Sequence, residues 1–217
     1  MLMKITFSVF SLLTSAISFL SPHSQSKTDT YTIKLVTGND LQEVLPFIAI
    51  QRISMFREYP YLYEGNSTTE ADYGKLFATL TDSAAAVAYY GTSPVSFITG
   101  VSFCSYESHF EGSINLFKQA GLLPETYYYF PEAIILPEHR GKELLRNLYL
   151  ILENYAKDKG YQAGCFVTES HDNHPLKPEN YTSIDSICSR YGYQKSSLAL
   201  NFGWQTRQHN GTALFQE

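Results

Sequence analysis

The centre of the chain reads EAIILPEHRGK (residues 132–142), and this stretch decides the predicted fold. The apolar and aromatic run over 127–136 is typical of a buried strand that stops at Pro137. Arg140-Gly141-Lys142 then opens a strongly amphipathic helix. A helix that begins directly after a strand presents unpaired backbone N–H groups and a positive dipole end beside the edge of the sheet. We therefore predict a site for an anion, such as a pyrophosphate, at this turn.

The segments before this stretch alternate between strand and helix patterns. Alternating or apolar runs predict strands at 31–37, 84–90 and 95–103, and apolar residues at helical spacing predict helices at 41–55 and 69–80. Pro46 is expected to kink the first helix or to begin a second one within it. Residues 58–65 contain three tyrosines and a proline and predict an aromatic loop.

The segments after the stretch continue the pattern. They predict a strand at 163–168, a loop at 171–178, a helix at 181–191 that ends at Gly192, and a last strand at 197–204. Early strands followed by a strand–helix–strand crossover predict an α/β (or α+β) single domain. Its mixed central sheet should contain a parallel pair, because a crossover helix joins parallel neighbours.

The strand, the turn and the helix resemble the cofactor motif of the GNAT superfamily of N-acetyltransferases. That motif is a strand, then Arg/Gln-x-x-Gly-x-Gly/Ala, then a helix. The pairs Gly160-Tyr161 and Gly192-Tyr193 and a final strand with Trp204 support the resemblance, which extends over about residues 31–204. It implies a GNAT-like mixed sheet with flanking helices, and acetyl-CoA as the acetyl donor.

The resemblance implies a cofactor site with backbone N–H groups along the strand and phosphate contacts at the turn. Its residues are Ile134, Ile135, Leu136, Arg140, Gly141, Lys142, Glu143, Leu144 and Leu145. The motif is degenerate, because Glu143 and Leu145 occupy its two glycine positions, where glycine lets backbone approach phosphate closely. Arg140, Lys142 and Arg146 are expected to offset the Glu143 charge.

Acetyl transfer to an amine needs a base for the amine and a proton for the leaving thiolate. Glu132 is the predicted base, directly or through water, because family members often carry an acidic residue on this strand. The family's proton-donating Tyr corresponds to Cys188, and Tyr181 or Tyr191 could replace it. The alternatives are an ion-paired, structural Glu132 and tyrosines that serve only packing.

The composition restricts the partners. A net charge of −5 and an isoelectric point near 5.7 argue against an electrostatic grip on nucleic acid or on anionic lipid. The loop sequence His171-Asp172-Asn173-His174 contains possible metal ligands, but no further ligand is identifiable, so no metal is predicted.

The first 26 residues differ in character from the rest. Lys4 precedes an apolar stretch over 5–20 and a polar exit, which predicts a signal peptide or a retained signal anchor; a mis-assigned start codon is the alternative. Residues 27–206 are the predicted acetyltransferase domain, and 207–217 a loose tail. The protein is expected to be exported or secreted if the leader functions, and cytoplasmic otherwise, with membrane contact only through an uncleaved leader.

The resemblance to the GNAT superfamily implies an acyltransferase that moves an acetyl group from acetyl-CoA to a primary amine of a small molecule or protein. The acceptor itself is not specified by any motif. The alternative is a GNAT-like binding protein without turnover, which the degenerate turn and Cys188 favour.

Overall fold

The computed structural model describes residues 3–11, 31–169, 174–202, 204–207 and 213–216. Its strands are β1 (Met3–Ser11), β2 (Tyr31–Thr37), β3 (Ala84–Tyr90), β4 (Ser93–Ser102), β5 (Tyr127–Tyr129), β6 (Ala133–Ile135), β7 (Ala163–Glu169), β8 (Gln194–Phe202), β9 (Trp204–Arg207) and β10 (Ala213–Gln216). Its α-helices are α1 (Leu41–Met55), α2 (Ser67–Thr79), α3 (Ser113–Gln119), α4 (Leu144–Asp158) and α5 (Ile184–Cys188).

Eight strands form one mixed sheet in the order β2-β3-β4-β5-β7-β1-β8, with β6 also paired to β4. Strands β5 and β7 are parallel and are joined through α4, whereas the other described pairs of this sheet are antiparallel. The α/β fold class with a parallel pair at the centre of a mixed sheet, predicted from the sequence, is confirmed.

Helices cover both faces of the sheet and bury two separate apolar cores. One core packs α1, α2 and α3 against the sheet through Leu41, Phe77 and Phe117. The other packs α4 and α5 through Leu148 and Cys188. The two faces are therefore sealed by different helices, and a site that connects them must pass through the sheet.

Helix α1 contains Pro46 and continues past it to Met55. The predicted helix at 181–191 is shorter in the structure: α5 starts at Ile184, where Ser183 caps it by accepting a hydrogen bond from Ser186 N at 3.2 Å, and a 3-10 turn follows it. Helix α4 begins at Leu144, later than predicted, because Gly141 and Glu143 both have positive φ and form a turn. Among the described residues, no helix has the length and apolar character needed to cross a membrane.

Part of the predicted leader lies inside the sheet. Strand β1 pairs antiparallel with β7 on one side and with β8 on the other, while residues 12–26 lie outside the described part of the chain. A cleaved leader could not supply the hydrogen bonds that β1 gives to both neighbours. The cleavage of residues 1–26 stays a prediction.

Part of the predicted loose tail is also paired. Strand β10 pairs antiparallel with β9 from Ala213↔Arg207 to Gln216↔Trp204. This pairing satisfies backbone groups that a loose tail would leave to water.

Candidate active site

A β-bulge divides the strand that precedes the turn. Strand β4 pairs with β5 as Val101↔Tyr129 and with β6 as Ile98↔Ala133, and the register shifts by one residue between these pairs. The strand that contains β5 and β6 therefore has one extra residue, within 130–132, relative to β4. Bulges of this kind bend a strand and re-aim its side chains.

The bulge decides which face of the sheet Glu132 occupies. Tyr128 and Phe130 pack in the core under α4, so strict alternation would place Glu132 on that face too. After the bulge, Ile134 packs in the opposite core, under α1 to α3. The shift turns Glu132, together with Pro131, into the wall of a cavity on the α1 side.

Strands β6 and β7 separate at the bulge. The described pairing of β7 with β5 covers Tyr127↔Ala163 to Tyr129↔Cys165, and Phe130 N then donates to Cys165 O at 2.9 Å. Beyond this bond, β7 has no further backbone pairing with β6 among the described residues. A gap therefore opens between β6 and the last residues of β7.

The backbone of β6 faces this gap at alternate residues. Glu132 O accepts from Thr99 N at 3.0 Å and Leu136 N donates to Val95 O at 3.2 Å, so these two residues and Ile134 between them face β4. Ala133 and Ile135 therefore direct their N–H and C=O groups away from β4, into the gap. Of the predicted residues 134–136, only Ile135 faces the gap, because antiparallel pairing uses the groups of its two neighbours.

A cavity of about 270 Å³ lies at the gap, on the side of α1 and α2. We call it the aromatic cavity, because rings from four parts of the chain form most of its wall: Phe56, Tyr61, Tyr63, Tyr73, Tyr106, Phe110 and Tyr129. Its polar lining comes from Arg52, His109, Glu132, Thr168 and Glu169. A mostly apolar wall with a few convergent polar groups is typical of a small-molecule site.

Arg52 of α1 links two buried carboxylates beside the cavity. Its Nε lies 2.5 Å from Glu70 Oε2, and its Nη1 lies 2.6 Å from Glu132 Oε2. The guanidinium stacks over the ring of Tyr73 at 4.0 Å from the centroid. Both glutamate side chains are 1% exposed, so each depends on Arg52 to offset the cost of burying its charge.

The second oxygen of Glu132 remains available. Tyr73 Oη donates to Glu132 Oε2 at 3.2 Å, on the same oxygen that Arg52 contacts. Glu132 Oε1 is buried and has no hydrogen-bond partner among the described residues. Buried polar atoms without a partner are uncommon and often mark a site for a ligand or water.

Burial keeps the cavity's other titratable groups neutral at pH 7. Burial, and secondarily Glu132, raises the pKa of both Tyr73 and Tyr106. Burial and Arg52 lower the pKa of His109, whose ring stacks on Tyr106 at 4.2 Å between centroids. Glu169, at the end of β7, has a pKa raised by burial to about 9.

The predicted cofactor turn lies next to the other face, at the start of α4. Arg140, Gly141, Lys142 and Glu143 are exposed, and the Arg140 Nε donates to Ile135 O at 3.2 Å. Glu143, at a glycine position of the motif, has a φ of 57° and makes no side-chain cap, so the first-turn N–H groups of α4 are uncapped by it. The predicted residues Leu144 and Leu145 begin the helix and pack towards the core under α4.

Cys188 and Tyr181 lie outside the lining of the aromatic cavity. Cys188 is 2% exposed in the core under α4, and burial raises the pKa of its thiol to about 12. Tyr181 precedes α5, stacks edge-on against Tyr59 at 4.6 Å, and has a pKa raised to about 12, chiefly by burial and by Tyr59. Both groups carry a proton at neutral pH.

No cluster of His, Cys, Asp and Glu suited to a metal occurs in the described part of the chain. Residues 171–173 of the possible ligand sequence lie outside that part. His174 is described, and its Nδ1 accepts from Leu176 N at 3.1 Å.

Sequence reasoning missed Arg52, Glu70 and Glu169 as site residues. Arg52 lies in an otherwise largely apolar helix, which is a weak signal of a buried ion pair. Nothing near Glu70 or Glu169 in the sequence indicates that their carboxyl groups approach one cavity.

No protein-family model matches the chain, and no curated protein matches its sequence. Similar folds occur among solved structures. A Drosophila protein is 9% identical with a TM-score of 0.51, over 92% of this chain and 49% of that one. A conserved protein of unknown function from Staphylococcus epidermidis is 13% identical with a TM-score of 0.49, over 90% of this chain, which spans 59% of that one.

Acetyltransferases are also among these structures. An aminoglycoside N-acetyltransferase, AAC(6')-Iy in complex with CoA, is 13% identical with a TM-score of 0.46, over 80% of this chain and 88% of that one. At such identities a likeness concerns the fold alone. The mixed sheet with its parallel pair agrees with the fold that the sequence predicted, and membership of the GNAT superfamily stays a prediction.

Proposed function

We propose that this chain transfers an acetyl group from acetyl-CoA to a primary amine of a small molecule or protein. The observation that carries the proposal is the bulge at 130–132, which opens the sheet where three features meet. The cofactor turn lies on one side, the aromatic cavity on the other, and Glu132 between them. Two reactants that approach from opposite faces can meet at such a gap.

The residues at the turn fit a diphosphate. Arg140, Lys142 and Arg146 supply three positive charges against one from Glu143, and all four side chains are exposed. The space where a Cβ of Gly141 would lie is open, with nothing within 4 Å, so backbone there is accessible. Acetyl-CoA, when bound, supplies the acetyl group as an activated thioester. The N–H groups of Ala133 and Ile135 are placed to donate to its carbonyl oxygen.

Glu132 is placed to accept the amine proton. Arg52 and Tyr73 hold its Oε2, whereas its Oε1 has no hydrogen-bond partner among the described residues. An N–H bond of the ammonium breaks as an O–H bond forms at Oε1, and the nitrogen keeps the electron pair for attack. The ion pair with Arg52 therefore positions the base; it is not evidence of a purely structural role.

The proton for the leaving sulfur has three possible sources in this fold. Tyr181 and Cys188 both retain a proton at neutral pH, but Cys188 is enclosed in the core. Tyr61 lines the cavity itself, and burial together with Glu169 raises its pKa. We assign the donation to a tyrosine, either Tyr61, which lines the cavity, or Tyr181, which precedes α5 outside that lining.

A second candidate function is a binding protein without turnover. Glu143 in the left-handed region brings a carboxylate to the turn that should hold phosphate, and the buried Cys188 occupies the family's donor position. This alternative predicts binding at the cavity or the turn with no acetyl transfer.

The experiment is calorimetry of the full chain with acetyl-CoA, followed by acetyl transfer to a panel of primary amines. We expect Glu132→Gln to lower turnover about 100-fold and to leave acetyl-CoA binding unchanged. Glu70→Gln is the matched control, because it removes the other carboxylate of Arg52 but keeps the base. Equal losses in the two variants would make Glu132 structural. Binding without turnover on any amine would support the second candidate, and absence of acetyl-CoA binding would reject the first.

A further inference from the structure

The aromatic cavity contains a second carboxyl group that the proposed reaction does not use. Glu169 ends β7 and faces the same cavity as Glu132, which comes from the bulge. The two residues are far apart in the sequence, and only the separation of β6 and β7 lets both side chains line one space. The cavity therefore presents carboxyl groups from two walls and aromatic rings from the others.

The charges around the cavity favour one added positive charge. Two buried carboxylates, Glu70 and Glu132, share the single guanidinium of Arg52, which leaves a surplus of one carboxylate. The aromatic rings that form most of the cavity wall attract a cation that has lost its water. A ligand carboxylate would meet two carboxyl groups and an arginine that is already paired twice. A second ammonium on the ligand would be repelled by Arg52.

The volume limits the size of the ligand. A cavity of about 270 Å³ lies near the lower end of the roughly 300–1,000 Å³ that is usual for small-molecule sites, which favours a compact ligand. The lining is mostly aromatic, which favours an apolar or aromatic body. These limits describe a compact monoamine.

We propose that the acceptor is a compact monoamine with an apolar or aromatic body, whose ammonium lies between Glu132 and Glu169, and that Glu169 releases its proton when this ammonium binds. This inference rests on the proposed function for the fate of the amine, but the binding itself does not require acetyl-CoA. The bound complex then contains three carboxylates, Glu70, Glu132 and Glu169, against Arg52 and the ammonium, so the site keeps the surplus of one carboxylate that it has without ligand.

The surroundings of Glu169 explain the proton release. Glu169 shares the cavity lining with Arg52, His109 and Glu132, and burial and, less strongly, its charge raise the pKa of Tyr61 and of Tyr181. Burial holds its carboxyl group neutral at pH 7.5, since the pKa is about 9. A neighbouring ammonium stabilises the carboxylate and lowers this pKa, so one proton passes from the Glu169 carboxyl group to the buffer.

The test is calorimetry of the full chain at pH 7.5 with phenethylamine, in two buffers that differ in ionisation enthalpy. The titration is made with and without CoA. We expect binding that releases close to one proton, and affinity about tenfold or more above that for 2-phenylethanol, which has the same shape without the charge. Spermidine, a polyamine, should also bind at least about tenfold more weakly.

Glu169→Gln should bind phenethylamine without releasing a proton, whereas wild type in the same buffers should release it. If this variant does not fold, the proton count of wild type decides the question alone. No phenethylamine binding with or without CoA, or binding without proton release in wild type, would overturn the inference. The same release from a folded Glu169→Gln variant would do so too. Amine binding with proton release but without acetyl-CoA binding would reject only the proposed function, so the two failures are distinguishable.

Discussion

The cofactor turn and the aromatic cavity lie on opposite sides of one bulge and are built differently. The turn consists of consecutive, exposed residues at 140–146, and its conformation is set locally by Gly141 and Glu143. The cavity takes its polar lining from α1, the segment Phe103–His109, the bulge and β7, and the two carboxylates that pair with Arg52 are buried. A charge at the turn is screened by water, whereas a charge at the cavity depends on its partners.

The turn and the cavity should therefore respond differently to substitution, one in ligand affinity and the other in stability. Substitutions at the turn should change ligand affinity and leave the free energy of unfolding nearly unchanged. Substitution of Arg52, Glu70 or Glu132 should mainly lower the free energy of unfolding. The reason is that the opposite charges of these groups compensate the cost of burying one another. The following predictions test this difference, from the largest expected effect to the smallest.

Arg52→Ala should lower the free energy of unfolding by about 3–5 kcal/mol, because it leaves two buried carboxylates without their cation. Urea unfolding at pH 7 measures the change. A variant that also carries Glu70→Gln and Glu132→Gln should recover part of the loss, since neutral amides cost less to bury. If Arg52→Ala were as stable as wild type, the cavity would tolerate the loss of a charge as well as the turn does, and the difference between the two regions would not hold.

Thr6→Pro tests whether β1 supports the cavity wall. Thr6 pairs with Thr168 of β7, next to Glu169, and with Ala199 of β8. Proline removes a ladder hydrogen bond in a central strand and should destabilise the fold by about 3 kcal/mol or more. Thr6→Val, which keeps the N–H, is the control. Thermal unfolding and the mass of the purified protein give the readout: cleavage of residues 1–26 would leave the two variants identical.

Arg140→Ala should weaken acetyl-CoA binding by about 1–3 kcal/mol, or roughly 5- to 150-fold, the scale of one charge-assisted contact. Its free energy of unfolding should stay within about 0.5 kcal/mol of wild type, because the side chain is exposed. Calorimetry and urea unfolding measure the two quantities on one preparation. Lys118→Ala, another exposed cation, should alter neither. An unchanged dissociation constant in Arg140→Ala would remove the turn from the site.

Glu143→Gly should raise the free energy of unfolding by up to about 1 kcal/mol. A left-handed conformation costs a non-glycine residue about 1–2 kcal/mol, and the greater chain entropy of glycine opposes the gain by about 0.5–1 kcal/mol. The variant should also bind acetyl-CoA more tightly, because a carboxylate leaves the turn. Glu138→Gly, outside the left-handed region, should not stabilise the protein. Destabilisation by Glu143→Gly would show that the Glu143 side chain supports the turn.

Regular segments were predictable because their signals are local. The strands β2 and β3 have the predicted bounds, and β7 extends the predicted one by a single residue. The helix at 181–191 was predicted too long, because a cap at Ser183 delays its start. The sequence predicted one continuous strand at 127–136, whereas the structure has a bulge between β5 and β6. A bulge of one residue does not interrupt an apolar run, so the sequence pattern does not reveal it.

The sequence by itself determined most of the order of elements from β2 to β8, the parallel crossover and the turn that resembles a cofactor site, because these depend on periodicity and on neighbouring residues. It also indicated Glu132, but not the face on which Glu132 lies. Only the tertiary structure decided that face, the pairing of Arg52 with two carboxylates, and the approach of Glu169 to the same cavity. The physical reason is that burial and charge pairing depend on residues brought together by the sheet register, and a shift of one residue reverses every side chain beyond it.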